Sequence, residues 1–129
     1  MDENRLKEIL ALHKKWLNGE KGGKRADLRG CDLSGSDLSN SDLRGSDLSG
    51  SNLDYSAWPL WCGSLKAYVD DRIAIQLLYH TLSVVQHSPH ISDELKRALL
   101  TPGNIDAANR FHRVNECGKL EVYDNGNTI

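Results

Sequence analysis

The stretch "RADLRGCDLSGSDLSNSDLRGSDLSGSNLDYS", residues 25–56, sets Leu28, Leu33, Leu38, Leu43, Leu48 and Leu53 at a strict interval of five. A helix face repeats every 3.6 residues and a strand face every two. A step of five turns about 140° around a helix axis, at about 100° per residue, and on a strand it sends alternate leucines to opposite faces. Neither element buries all six. Divided into units, residues 26–55 read ADLRG, CDLSG, SDLSN, SDLRG, SDLSG and SNLDY. Each unit has a small residue (Ala26, Cys31, Ser36, Ser41, Ser46, Ser51) two places before its leucine, with an Asp or Asn between them. The two following residues are mostly Ser, Arg, Gly or Asn. One large apolar residue per unit means that one position points inward while the chain turns between units, as in the wall of a coil. Composition alone would allow a disordered Ser/Gly/Asp linker, but disorder places no demand on leucine phase, and here the phase holds through every unit.

The 129-residue chain has room for one domain, or one small composite, with a modest core. Its net charge of −2 is unevenly spread. Residues 1–25 carry seven Lys/Arg against four Asp/Glu, residues 26–58 two Arg against six Asp, and residues 59–129 seven against eight, so the repeat is the acidic part. No apolar run is long enough to span a bilayer, and the opening "MDENRLKEILALHKKW" lacks the apolar block of a signal peptide, so a cytoplasmic location is expected. Cys31, Cys62 and Cys117 are odd in number and lack CxxC spacing. They read as reduced, packed thiols rather than a disulfide framework or a zinc site.

Outside the repeat the chain reads as helical. Residues 2–18 form an amphipathic helix capped by Asp2, with Leu6, Ile9, Leu10, His13, Trp16 and Leu17 on its apolar face and Asn18-Gly19 ending it. "GEKGGKR" is a basic connection; its glycines and lysines suggest a phosphate cradle, but no P-loop pattern accompanies them. After Tyr55 the period degrades: Trp58 keeps the leucine phase, while Leu60 and Leu65 imply a register shifted by two. Trp58, Trp61 and Tyr68 are expected to cover an open coil end, because a terminal repeat has no neighbour. Residues 71–86 predict a helix burying Ile73, Leu77, Tyr79, His80 and Val84. A short helix follows from a Ser92 cap, ended by Pro102-Gly103, then another from about Asn104 to Asn115, and a tail holding one strand or fraying. The expected organisation is therefore an N-terminal helix and basic linker over 1–25, the repeat with a degenerate aromatic cap over 26–69, and a helical region over 70–129.

The six tandem units resemble those of pentapeptide-repeat proteins, whose consensus is an Ala, an Asp or Asn, a Leu and two variable residues. The resemblance implies an α+β fold: a short right-handed quadrilateral β-solenoid, each pentapeptide forming one side, flanked by an N-terminal helix and a C-terminal helical region. It also implies that Leu28, Leu33, Leu38, Leu43, Leu48 and Leu53 form the interior of the repeat. The layout, including "DYSAWPLWCGSL" and "FHRVNECGKL", resembles small phage- and prophage-encoded members of that family. The flanking helices would obstruct end-to-end stacking, so a monomer is expected rather than a dimer.

Function is sought on the outward positions. Asp27, Asp32, Asp37, Asp42 and Asp47, with Asn52 and Asp54, precede or follow the leucines and would project from the coil; Asp70 and Asp71 extend the acidic set, with Asp93 and Glu94 beyond. At a rise near 4.8 Å per coil, the net charge of 26–58 amounts to roughly one negative charge per 2 Å of axis, close to the value of about one per 1.7 Å along duplex DNA. Asp and Asn also close turns through side-chain hydrogen bonds, which is a purely structural use of the same residues. Arg29 and Arg44 read as solvated charges or partners of these aspartates. His80, His87 and His90 are spaced too widely for one helical face, His112 and Cys117 would meet only through a turn, and neither a close Cys/His cluster, a nucleophile elbow nor converging carboxylates suggest a metal centre or catalysis. No catalytic residue, metal or cofactor is assigned. The expectation is a non-enzymatic inhibitor acting by acidic DNA mimicry on a protein with a basic DNA-binding surface, such as a CRISPR effector subunit, with no direct nucleic-acid or membrane contact. The alternatives are a gyrase- or topoisomerase-binding protein and a structural protein–protein interaction scaffold.

Overall fold

The side chain of Asp2 accepts a hydrogen bond from the Asn4 N–H at 2.9 Å and so starts the first helix, α1, Glu3–Leu17. The computed structural model describes residues 1–124 and divides into two compact units, Met1–Asp70 and the part from Asp71 onward. In the first unit α1 buries Leu6 and His13, half-buries Ile9, Leu10 and Leu17, and leaves Trp16 partly exposed. The glycine-rich connection folds back along α1. Lys24 N–H donates to Leu12 C=O at 3.0 Å, and Gly23 lies so close to the Trp16 backbone that a Cβ there would collide with it.

The repeat then winds so that the chain returns beside itself every four units. Leu28 N–H donates to Asp47 C=O at 2.8 Å, Leu33 N–H to Asn52 C=O at 2.9 Å and Leu38 N–H to Ala57 C=O at 2.8 Å. Within each unit a tight turn closes on the leucine carbonyl, as from Cys31 to Leu28 and from Ser41 to Leu38. Gly30, Gly35, Gly45 and Gly50 hold the positive φ that these corners require. Leu28, Leu33, Leu38, Leu43 and Leu48 are fully buried and Leu53 nearly so.

This winding corrects the expected fold class. Among the described residues there is no strand and no sheet, so the α+β fold with a β-solenoid is not what forms; the regular secondary structure is helical. Backbone pairing in the repeat is confined to isolated parallel bridges, Asp27 with Asp47, Asp32 with Asn52, Asp37 with Ala57 and Asp47 with Tyr68. A bridged unit offers one paired residue before the chain turns, and unit 41–45 offers none, too few for a ladder of consecutive pairs.

Residues 56–69 also differ from expectation. Leu60 and Leu65 do not continue the interior, being 94% and 59% exposed; Pro59 and Gly63 are the buried residues there. Trp58 is half-buried, while Trp61 and Tyr68 stay 45% and 53% exposed. A 3-10 turn at Cys62–Ser64 brings Gly63 under the Trp61 ring. Only a residue without a Cβ fits between that ring and the Ser41 carbonyl.

In the second unit α2, Asp71–His87, packs with α3, Asp93–Leu99, and α4, Pro102–Ala108. Its buried side is Ile73, Gln76, Tyr79, Leu82 and Val85, a stripe of successive i, i+3 steps that leaves His80 and Val84 exposed, contrary to expectation. Tyr79, Leu82 and Val85 join Leu100, Ile105, Ala108, Phe111 and Leu120 in one core. Pro102 opens α4 behind a Thr101 cap instead of merely ending α3. The single helix expected to Asn115 is broken: α4 stops at Ala108, Phe111 turns into the core, and α5 spans Val114–Cys117. Asn109 holds the break by exchanging two hydrogen bonds with the Leu120 backbone, at 3.0 and 2.8 Å. No strand forms up to Asp124, and the rest of the expected tail lies outside the described residues. Cys62 and Cys117 are exposed, not packed as expected, and all three thiols are free.

Candidate functional site

Each Asp that precedes a leucine of the repeat closes its own turn. The Asp27 carboxylate accepts the Arg29 N–H at 3.2 Å, Asp32 that of Ser34 at 3.1 Å, Asp37 that of Ser39 at 3.0 Å, Asp42 that of Arg44 at 3.3 Å and Asp47 that of Ser49 at 3.0 Å. The Asn52 side-chain carbonyl accepts the Asp54 N–H at 3.0 Å in the same way. An aspartate is therefore sterically equivalent to asparagine here, and what it adds is charge.

The residue two places on decides what becomes of that charge. Arg29 reaches back to Asp27 with two donors at 2.9 Å, and Arg44 to Asp42 at 2.8 and 2.6 Å, both as bidentate pairs. Ser34 and Ser39 instead donate hydroxyl hydrogen bonds of 2.6 Å to Asp32 and Asp37 and leave the negative charge in place. These bonds lower each carboxyl pKa. The Arg29 guanidinium beside Asp27 brings it to about 2, and the Ser34 and Ser39 hydrogen bonds lower Asp32 and Asp37. Asp42 is lowered by Arg44, and Asp47 by the Ser49 backbone and side chain. All remain ionised near neutrality.

The winding spreads the carboxylates over successive sides instead of gathering them in one ladder. Asp27 lies beside Asp47, with Arg29 close to both. Asp32 lies beside Asn52 and Asp37 beside Ala57, so each is the sole carboxylate of its bridged pair. Asp54 is half-buried, Asp70 accepts the Gly50 N–H at 2.5 Å, and Asp71 stands exposed at the start of α2. An open cavity of about 280 Å³ is lined by Arg25, Ala26, Asp27, Arg29 and Asp47. Its two guanidinium groups balance its two carboxylates, which favours neither an anion nor a cation. Among the described residues, no group of three or more His, Cys, Asp or Glu side chains is arranged to hold a metal ion.

The residue whose role the sequence pattern hides is His13. It sits on the apolar stripe of α1, yet it is fully buried and bonded at both ring nitrogens. A histidine among leucines on a helix face was the available signal, and its partners lie 13 and 31 residues away.

These features define a class, a tandem-repeat protein whose unit is five residues. Within it, residues 24–54 match the family model described as pentapeptide repeats (8 copies), which supports kinship of this segment with the pentapeptide-repeat family. No curated protein and no solved structure matches the chain. A pentapeptide-repeat segment fits a role in protein interaction.

Proposed function

We propose that the protein is a non-enzymatic inhibitor that binds the basic, DNA-holding surface of a nucleic-acid-binding bacterial complex. The observation that carries this reading is the state of Asp37 and Asp32: exposed, held in fixed orientation by two hydrogen bonds each and, among the described residues, ion-paired with no Lys or Arg side chain, Asp37 being the freer of the two because the Met1 ammonium lies near Asp32. A preorganised carboxylate meets a partner's Lys or Arg without first losing rotamer freedom, and its field speeds encounter. The likeness to small phage-encoded members of the family directs the search first to bacterial defence complexes of the CRISPR type, with topoisomerases second.

The test is displacement of labelled DNA from such purified complexes, gyrase included, by the full chain and by the double variant Asp32→Asn, Asp37→Asn. Asn52 already fills the same turn position, so the variant is expected to fold. Weaker displacement by the variant, with a flatter dependence on salt, supports the reading; equal displacement at all salt concentrations removes it. A scaffold role is the second reading. It rests on Tyr55, Leu60, Trp61, Leu65 and Tyr68, large apolar side chains left exposed within a short span, and it predicts that Leu60→Ser with Trp61→Ser abolishes binding while the Asp variant does not.

A further inference from the structure

Helix α1 is held on the repeat by a contact that works with only one protonation state of one side chain. The Ala26 N–H donates to His13 Nδ1 at 3.0 Å, and His13 Nε2 lies 2.8 Å from the Arg44 carbonyl oxygen. Since Nδ1 is the acceptor, the proton must sit on Nε2, and the neutral ring then satisfies both backbone groups. The ring is fully shielded from solvent. Trp16 stacks on it, with centroids 5.4 Å apart and planes inclined by 22°, and the same indole covers Gly45. Ala26 and Arg44 lie in the first and fourth repeat units, so a single imidazole joins α1 to two places in the winding.

We propose that His13 is an acid-sensitive latch: its protonation releases α1 from the repeat while the winding itself stays intact. A second proton, on Nδ1, would face the Ala26 N–H, turning a donor–acceptor pair into two opposed donors and placing a positive charge out of reach of water. The charged groups around the ring divide. Asp42, from the repeat, favours the imidazolium, but its carboxylate is already engaged by Arg44. Arg25, from the connection, opposes it and lies over the Trp16 ring at 5.9 Å. Burial outweighs the Arg44 carbonyl bond and Asp42, which both favour the charged ring, and the His13 pKa is lowered from its ordinary value. A lowered histidine pKa means that docking is at full strength above about pH 6.5, the unperturbed value, and weakens as pH falls below it. The equilibrium shifts about tenfold per pH unit until the docked-state pKa is passed.

The experiment follows His13 by NMR in the full chain from pH 8 to 4.5, together with amide exchange protection corrected for the intrinsic pH dependence of exchange. The expected result is a stepwise loss of protection in Glu3–Leu17 that tracks His13 protonation, with the Leu33, Leu38 and Leu48 amides still protected. His13→Gln, which carries no titrating group, should remove the pH step. Protection of α1 unchanged to pH 4.5, its loss only together with the repeat amides, or the same step in a folded His13→Gln protein would each overturn the latch. If the variant does not fold, the wild-type titration decides alone.

Discussion

Ser46 and Ser51 occupy the same place in adjacent units, two residues before a leucine, and differ in one bond. Ser46 Oγ donates to Leu43 C=O at 2.6 Å, while Ser51 Oγ is buried with no partner among the described residues. Ser46→Ala should therefore cost about 1 kcal/mol, and Ser51→Ala should add about 1 kcal/mol by removing an unsatisfied hydroxyl. Urea midpoints that move in opposite directions check the pair, and Ala26 shows that alanine fits this position. The fate of each aspartate was equally local. Whether a carboxylate is neutralised follows from reading DLR against DLS, because a side chain two residues beyond a turn Asp comes back over it. That distinction was legible in the sequence but invisible to a count of net charge, which treats all five aspartates alike.

Among the elements, the winding stands on leucines packed at its centre and on single bridges between turns. Leu38 is fully buried, so Leu38→Ala should cost about 2–5 kcal/mol by chemical denaturation. Leu38→Asp, which buries an unpaired carboxylate, should leave the winding unfolded. Gly63→Ala probes the irregular last turn. A Cβ there would stand 2.7 Å from the Ser41 carbonyl oxygen and closer still to the Trp61 ring, and the overpacking should cost about 1–3 kcal/mol. Stability unchanged in Gly63→Ala would show that both the Trp61 ring and the Ser41 carbonyl give way. Helix starts were readable because caps are local: Asp2 and Ser92 each bond an N–H within three residues. The buried side of α2 and the break after α4 were not. Both depend on where Phe111 and Leu120 meet α2, a matter of packing between distant segments.

For the whole molecule the shifted groups set the pH range over which each of the two units keeps its stability. The aspartates of the repeat are lowered, so they stabilise the folded state above about pH 3.9, the unfolded-state value, and that stability is lost as pH falls toward the value of about 2 reached by Asp27. His13 adds an earlier loss below about pH 6.5. Tyr79 and Tyr123 are raised, Tyr79 by burial and Tyr123 first by its hydrogen bond with Asp93, so stability also declines above about pH 10. Urea midpoints across pH should show a plateau between neutrality and about pH 10 and a fall in two stages on acidification; highest stability below pH 4 would contradict the assignments. Salt should weaken the Arg29–Asp27 contribution more than those of Asp32 and Asp37, whose partners are neutral serines. No helix among the described residues is long and apolar enough to cross a membrane. The sequence by itself determined the five-residue winding, its buried leucines and the turn-closing aspartates, because each rests on bonds and packing that recur within one unit. Only the tertiary structure decided that the turns pair through isolated bridges without forming a sheet, that Trp61 and Tyr68 stay exposed, and that His13 bonds the repeat at both nitrogens. Those outcomes depend on how residues from different turns and helices meet, and no local period encodes that.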